Sequence, residues 1–274
     1  MAAPDYSRYR HLNVEPSASG VTTITLNRPE SKNAVNSVMH EELQDIWIDV
    51  SRDFQTKVVV LTGAGPTFCV GGDVKDMAAQ DVPFGGGKDI HPAVVTGGEA
   101  RRAIMYMLDL EQPVISAING HAIGLGATLA LCADISVMSA EARIGDPHVK
   151  VGLVAGDGGA VLWPLLIGPS RAKEFLLRGN LIDGTEAERI GLVNHVRPPA
   201  EVLPAALEIA EEIAALPPMA VRWTKFSVNR WLKDVYHQVF DASIAFEQIT
   251  IRSEDHKEAA AAFVERRTPK YTGF

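Results

Sequence analysis

Two aspartates and a histidine lie close together in a glycine-rich stretch near the middle of the chain. The stretch reads GDPHVKVGLVAGDGGAV, residues 145 to 161, and contains Asp146, His148 and Asp157. Histidine exchanges its proton at about pH 6.5, whereas a carboxylate does so near neutral pH only when its surroundings raise its pKa. The stretch is therefore a candidate for acid–base chemistry.

Each of the three side chains also has a purely structural explanation. Asp157 precedes a predicted helix, and aspartate caps helix N-termini well. A histidine that only donates a hydrogen bond to a backbone carbonyl in a turn would give the same sequence pattern as His148. Asp146 precedes a proline, and an aspartate before proline is common in turns. We rank Asp157 first as a catalytic residue, His148 second and Asp146 third, with the structural roles left open.

Two glycine-rich loops supply a different kind of group, the backbone N–H. TGAGPTFCVGGDVKDM (62–77) and NGHAIGLGATLA (119–130) each follow a predicted strand and lead into a predicted helix. Glycine allows close backbone approach, so both loops can present N–H groups to a developing oxyanion. Neither loop matches the GxGxxG or GxxxxGK[ST] pattern, which disfavours an NAD-binding or phosphate-loop protein.

Strand and helix patterns alternate over the first two thirds of the chain. The predicted strands, nearly all apolar, cover residues 21–26, 58–63, 113–118 and 134–139. The predicted helices between them cover residues 37–54, 99–110 and 126–133. Apolar strands joined by helices are typical of a parallel sheet covered on both faces, so we predict an α/β fold here.

Beyond about residue 165 the strand pattern nearly disappears. Only LVNHV, residues 192–196, has the composition of a strand. Four segments have helical spacing instead: 200–216, 219–235, 236–251 and 255–267. We therefore divide the chain into an α/β core over 1–200 and a helical region over 201–274. The Gly- and Pro-rich segment 81–98 predicts a mobile surface loop or a disordered insertion.

Composition narrows the class of protein. The chain has 274 residues, 46% of them hydrophobic, and a net charge of -8. The acidic balance disfavours a nucleic-acid partner, because phosphate binding needs clustered Lys and Arg. No apolar run approaches the roughly 18 to 20 residues that span a bilayer, and the N-terminus lacks a signal-like apolar segment. We expect a cytoplasmic protein with no membrane partner and no bound metal.

Several aromatic and thiol side chains have structural explanations. Cys69 and Cys132 show no metal-ligand spacing, and we expect reduced thiols without a nucleophilic role. His121, inside the second glycine-rich loop, is expected to pack like an aromatic residue. Trp163, Trp223 and Trp231 are expected in the core or at subunit contacts.

Six motifs follow one another along the chain: LNRPESKNAVN (26–36), FCVGGDVKDM (68–77), NGHAIGLGATLALCADI (119–135), GLVAGDGGAVLWPLLIG (152–168), GTEAERIGLVNHV (184–196) and AFVERRTPKYTG (262–273). Together they resemble the enoyl-CoA hydratase/isomerase family, also called the crotonase superfamily. The resemblance runs from about residue 10 to the C-terminus. It implies a crotonase-like spiral of ββα repeats followed by a C-terminal helical trimerisation region, with assembly as a homotrimer or a dimer of trimers.

The resemblance also implies a ligand, a coenzyme A thioester, and the residues that would hold it. The thioester oxygen would accept hydrogen bonds from the backbone N–H groups of Gly72 and Leu125. Coenzyme A would be part of the substrate, with no covalently bound cofactor. Lys32 and Arg266 would pair with its phosphates, and a solvated surface position is the alternative for each. The implied contacts along the nucleotide and pantetheine are Ser31, Lys32, Ala34, Val70, Asp73, Val74, Phe263 and Arg266.

The chain departs from the family's hydratases at their two catalytic glutamates. The matching positions here hold Thr128 and His148. A threonine hydroxyl is not a useful general base near neutral pH, whereas histidine is one. We therefore expect an acyl-CoA enzyme that stabilises a thioester enolate or oxyanion without the two-glutamate mechanism. The alternative is a catalytically inactive acyl-CoA-binding scaffold of the same fold.

Overall fold

The larger of two sheets carries most of the apolar strands. The computed structural model describes residues 4–73 and 98–273. Within them, the main sheet has six strands in the order β1-β2-β3-β5-β7-β10. They are β1 (Leu12–Pro16), β2 (Val21–Leu26), β3 (Val58–Gly63), β5 (Val114–Ile118), β7 (Ile135–Ser139) and β10 (His195–Arg197). All neighbours run parallel except β1, which pairs antiparallel with β2. The predicted parallel sheet is confirmed.

A second, smaller sheet carries the two glycine-rich loops. Among the described residues it has the order β4-β6-β8-β9, with β4 at Thr67–Cys69, β6 at His121–Ile123, β8 at Arg143–Gly145 and β9 at Ile182–Asp183. The sequence patterns missed these strands, because two or three residues are too few to show a period. The sheet aligns the loop after β4 with the loop after β6, since these two strands pair in parallel.

Helices flank both sheets and dominate the C-terminal part. In chain order they are α1 (Ser37–Arg52), α2 (Gly98–Asp109), α3 (Leu125–Leu131), α4 (Gly159–Ile167), α5 (Pro169–Arg178), α6 (Gly184–Arg189), α7 (Val202–Ala214), α8 (Pro218–Thr250) and α9 (Glu254–Glu265). The prediction of separate helices at 219–235 and 236–251 is wrong, because α8 is continuous over 33 residues. No Pro or Gly interrupts it at residues 235–236, and Tyr236, Phe240 and Ile244 continue one buried face.

Apolar side chains fill both faces of the main sheet. On one face, Val202, Ala206 and Ala210 of α7 pack against strand residues such as Val60 and Ile115. On the other, α1, α2 and α8 contribute to the larger core, and Tyr236 of α8 is fully buried there. The C-terminal helices therefore complete the core of the α/β part.

Trp163 lies in the core, and the expected subunit contacts of Trp223 and Trp231 stay a prediction. Trp163 is buried, whereas Trp223 and Trp231 are exposed by 57% and 60%. Cys69 and Cys132 are both free and buried. Among the described helices, none combines the length and the apolarity needed to cross a membrane. The predicted loop at 81–98 falls outside the described residues except for Gly98, where α2 begins.

Candidate active site

A cavity of about 140 Å³ lies where the two glycine-rich loops meet α9. It brings together Gly72, Leu125 and His148, which the sequence placed in one site. Val70 and Phe263, two of the implied coenzyme A contacts, also line it. The other lining residues are Gly71, Ile123, Gly124, Pro147, Val151, Leu153, His256, Ala259 and Ala260.

Gly72 is held in an extended conformation against Val35. The Val35 N–H donates to the Gly71 carbonyl at 2.8 Å, and the Asp73 N–H donates to the Val35 carbonyl at 3.0 Å. Backbone groups alternate in direction along an extended segment, so the Gly72 N–H points away from Val35. The bridge to Val35 therefore leaves the N–H of Gly72, a cavity-lining residue, unused.

Leu125 offers a second N–H from the neighbouring loop. It is the first residue of α3, after Gly124. The first N–H groups of a helix have no acceptor within the helix, and they attract negative charge. A Cβ placed on Gly71 would lie 3.6 Å from the Leu125 nitrogen, so the two loops are in contact. Gly72 and Leu125 thus line the same cavity, and two backbone N–H groups directed at one point can stabilise an oxyanion.

His148 lies between two carboxylates. Its Nδ1 forms a very short hydrogen bond with Oδ1 of Asp146, and its Nε2 lies 3.6 Å from Oδ2 of Asp157. The His148 side chain is 13% exposed, against 1% for Asp146 and 7% for Asp157. The imidazole therefore faces the cavity, and both aspartates lie behind it.

Thr128 contacts the same group. It is buried, and its hydroxyl donates to Oδ1 of Asp157 at 3.0 Å. Asp157 also accepts a hydrogen bond from the Gly159 backbone N–H at the start of α4. Thr128 thus holds an aspartate in place. Asp157 therefore contacts both the start of α4 and the imidazole of His148.

Burial and the neighbouring opposite charges shift the pKa values of His148 and Asp157 in opposite directions. Burial alone would lower the pKa of His148, but Asp146 and Asp157 outweigh it and raise that pKa well above 6.5. Burial raises the pKa of Asp157 to about 6, although His148 opposes the rise. At neutral pH the pair is thus an imidazolium beside a carboxylate, with one proton to move between them.

Glu247 of α8 belongs to the same cluster, and the sequence patterns did not single it out. Burial raises its pKa to about 8, with Asp157 adding to the rise and His148 opposing it. A signal was present: Glu247 follows Phe240 and Ile244 at helical spacing, on the buried face of α8. A glutamate at a position where the helical pattern calls for an apolar residue is therefore a candidate site residue.

The glycines of AGDGG make room for the polar side chains around Asp157. A Cβ on Gly156 would lie 2.6 Å from Oε2 of Glu247, and one on Gly159 would lie 2.0 Å from Oδ2 of Asp146. A Cβ on Gly158 would lie 2.4 Å from Cγ2 of Thr128. These distances are shorter than a methyl group allows, so the cluster can assemble only around glycine.

The implied coenzyme A contacts near the first loop gather around Arg28, which the sequence patterns missed. Its guanidinium forms an ion pair with Asp73 at 3.0 Å. It also donates to the hydroxyl of Ser31 at 3.4 Å and to the carbonyl of Ala34. Arg28 thereby joins the segment 28–34 to the end of the glycine-rich loop.

The remaining implied contacts lie at the surface or outside the described residues. Lys32 is exposed with a φ of 55°, and Arg266 ends α9 with the same φ. Phe263 is 66% exposed at the rim of the cavity. Val74 falls outside the described residues.

Two other side chains near the loops can be assigned. Burial raises the pKa of the Cys69 thiol to about 12, so it is not a thiolate near neutral pH. The prediction that His121 packs like a buried aromatic residue is wrong. Its side chain is exposed, and its Nδ1 accepts a hydrogen bond from the Arg143 N–H at 3.1 Å.

Asp146, His148 and Asp157 also have the donor atoms of a metal site. One such atom from each lies within 4.8 Å of the others. However, each imidazole nitrogen already faces a carboxylate oxygen. A cation would have to displace the imidazole from both partners, so the arrangement fits proton transfer better than metal binding.

The chain is similar to known proteins of one family. The sequence matches the enoyl-CoA hydratase/isomerase family over residues 17–273. The short-chain-enoyl-CoA hydratase of Clostridium acetobutylicum is 35% identical over 260 residues, covering 93% of this chain and 94% of the relative. The 1,2-epoxyphenylacetyl-CoA isomerase of Escherichia coli is 32% identical over 254 residues, covering 93% and 95%.

Solved structures agree as well. An enoyl-CoA hydratase/isomerase from Mycobacterium paratuberculosis has a TM-score of 0.84 at 33% identity, covering 92% of this chain and 97% of that one. The relatives include both a hydratase and an isomerase, so similarity alone leaves the reaction open. The fold is the crotonase fold, and the chain belongs to the enoyl-CoA hydratase/isomerase family.

Proposed function

We propose that the protein binds an acyl-CoA thioester and stabilises its enolate. The thioester oxygen accepts hydrogen bonds from the N–H groups of Gly72 and Leu125. Two observations support this: both residues line one cavity, and the helix start at Leu125 leaves its N–H without an intrahelical acceptor. Removing one donor from comparable sites costs on the order of 3 kcal/mol of transition-state stabilisation.

His148 moves the proton in this proposal. The observation that carries it is the place of the imidazole, which lines the cavity with Asp157 at 3.6 Å behind it. Nδ1 is bound to Asp146, so Nε2 is the nitrogen that exchanges a proton. The imidazolium first passes its Nε2 proton to Asp157, which makes the imidazole a base.

Nε2 of the neutral imidazole then turns from Asp157 towards the cavity and takes a proton from a carbon of the acyl chain. The electron pair of the broken C–H bond becomes the enolate that Gly72 and Leu125 stabilise. His148 returns the proton to the other end of the conjugated system, which shifts the double bond and leaves a neutral imidazole. Asp157 then gives its proton back to Nε2, which restores the imidazolium and the carboxylate. One proton carrier is sufficient for this sequence, so we favour isomerisation of an unsaturated acyl-CoA.

Hydration of a double bond makes a different demand. In the family's hydratases two glutamates position and activate a water molecule. Here Thr128 occupies one of these positions, and its hydroxyl is engaged with Asp157. The arrangement therefore supports a reaction other than two-glutamate hydration.

In this proposal the coenzyme A part of the thioester lies along the contacts that the family resemblance implies. The Arg28 cluster of Ser31, Ala34 and Asp73 supports a pantetheine site beside Val70. Lys32 and Arg266 provide positive charge for the phosphates, and Phe263 covers the nucleotide end. Val74 stays a prediction.

We also propose a homotrimer or a dimer of trimers, assembled through the helical region 201–274. Large apolar side chains of α8 support this, because Trp223, Phe226 and Trp231 are each at least half exposed. Exposed apolar groups in such numbers are typical of protein interfaces. No nucleic-acid or membrane partner is part of this proposal.

The first test compares two substrates. We expect very slow hydration of crotonyl-CoA, measured by loss of its conjugated absorbance, and faster isomerisation of a β,γ-unsaturated acyl-CoA. Calorimetry should detect binding of both thioesters. Efficient crotonyl-CoA hydration would contradict the proposed mechanism. Binding without turnover of any acyl-CoA would instead support the inactive scaffold.

A further inference from the structure

One face of α8 is fastened to the turn that carries Asp157. The Ser243 hydroxyl donates to the Gly156 carbonyl at 3.1 Å, and the Val154 N–H donates to the Thr250 hydroxyl at 3.2 Å. Glu247 lies between Ser243 and Thr250 on α8, at spacings of four and three residues. Residues with these spacings share a helix face, so all three side chains are directed at the same segment.

The carboxyl group of Glu247 sits in the centre of this contact. Its Oε2 is shielded from solvent and has no hydrogen-bond partner among the described residues. It occupies the space that a Cβ on Gly156 would enter, at 2.6 Å. An unpaired polar atom in such a place is costly, so a residue without a further role would be better replaced by an apolar one.

The ionisable groups that act on Glu247 all come from the 145–161 stretch. They are Asp157, Asp146 and His148. Glu247 in turn raises the pKa of His148. Burial raises the pKa of Glu247 itself to about 8, so the carboxyl is mostly neutral at pH 7 and becomes charged in mildly alkaline solution.

We propose that Glu247 is a positioning residue for the proton transfer: Ser243 and Thr250 fasten its face of α8 to the 154–157 turn, and this places its carboxyl group beside the turn, where its charge acts on Asp157 and His148. This inference rests on the proposed function, because it assigns the residue to the same proton transfer. Glu247 does not line the cavity among the described residues, so it acts through Asp157 and His148.

The direction of the effect follows from charge. An ionised Glu247 adds negative charge near His148, which favours the imidazolium and delays its deprotonation as pH rises. Replacing Glu247 by glutamine keeps the shape of the side chain and removes this charge. His148 should therefore lose its proton at lower pH in Glu247→Gln than in the original protein.

The test is a pH titration of full-length protein carrying isotope-labelled histidine, followed by NMR. The His148 signal is assigned by its loss in His148→Gln. We expect its midpoint in Glu247→Gln to move down by at least about 0.5 unit, and Glu247→Asp to restore part of the shift. The alkaline limb of the kcat/KM profile should move the same way.

Asp234→Asn is the matched control, since it removes one exposed carboxylate from the same helix. It lies 13 positions away, about 20 Å along α8, and should leave the His148 titration in place. If Glu247→Gln behaves like Asp234→Asn, the inference is wrong.

The two proposals can fail separately. NMR reads the His148 titration without substrate, so it can report the link to Glu247 even in a protein without turnover, in which case the proposed function fails. If the original protein isomerises acyl-CoA but Glu247→Gln leaves both the titration and the pH profile unchanged, the proposed function stands and the role of Glu247 is wrong.

Discussion

At the scale of single residues, Asp157 has two kinds of contact, and they imply different roles. It accepts hydrogen bonds from Thr128 and from the Gly159 N–H, which would suit a purely structural residue. It also lies 3.6 Å from Nε2 of His148, which would suit a proton acceptor. An asparagine in its place can keep the first two contacts but cannot take up a proton.

We therefore expect Asp157→Asn to lower turnover of the isomerised thioester by about 10²- to 10⁴-fold, the usual contribution of acid–base catalysis. Binding of the thioester, measured by calorimetry, should be largely retained. The control is Asp183→Asn, because Asp183 caps α6 by accepting from the Glu186 N–H at 2.9 Å and asparagine caps equally well. Equal turnover in the two variants would mean that Asp157 has only a structural role.

The resemblance to a family predicted one shared site for residues from three separate motif stretches. Gly72, Leu125 and His148 line one cavity, as the motif positions imply. Arg28 and Glu247 were not predicted, because each acts across elements. Arg28 reaches Asp73 from 45 positions earlier in the chain, and Glu247 comes from α8. A local sequence pattern does not predict such pairs, because they form only when separate elements pack together.

At the scale of elements, α8 links the core to the site. Periodicity predicted its helical character but divided it in two, and it could not show which face is buried. In the structure the buried face of α8 contains Phe240, which is 1% exposed. Its ring packs edge-on against that of Tyr236, with the ring centroids 5.4 Å apart. Phe240 lies three residues before Ser243, so the buried face that anchors α8 is continuous with the face that holds the Asp157 turn.

We expect Phe240→Ala to lower the free energy of unfolding by about 3 to 5 kcal/mol, as for other fully buried phenylalanines. Urea titration followed by circular dichroism measures this. Phe54→Ala makes the same chemical change at a side chain that is 63% exposed, and we expect a change within about 0.5 kcal/mol there. Similar losses in the two variants would mean that α8 is not anchored through this face.

At the scale of the whole molecule, the buried cluster makes stability depend on pH in an unusual direction. Folding raises the pKa of Asp157 from 3.8 to about 6, that of Glu247 from 4.5 to about 8, and that of His148 well above 6.5. In each case the folded protein binds more protons than the unfolded chain between the two pKa values. Stability from these groups is thus complete below the lower value and is lost as pH rises through the higher one.

Other shifted groups act below or above the interval from about pH 7 to 9. The Arg267 guanidinium holds the pKa of Glu258 at about 2, so the stability that this pair contributes is lost only below its ordinary value of 4.5. Burial raises the pKa of Tyr6 and Tyr9 from an ordinary value of 10.0, so their contribution is lost only at still higher pH. Burial lowers the pKa of His40 from 6.5 to about 4, so its contribution is lost only as pH falls below 6.5. The interval from about pH 7 to 9 is therefore governed by the cluster.

We expect the melting temperature, measured by calorimetry in buffers of constant ionic strength, to fall as pH rises through that interval. A double variant, His148→Gln with Glu247→Gln, removes two of the three groups and should show a smaller fall. Asp183→Asn, which leaves the cluster intact, should follow the original protein. A melting temperature that rises towards pH 9 in the original protein would mean that the cluster does not hold its protons in the folded state, and the proton transfer proposed for His148 and Asp157 would lose its physical basis.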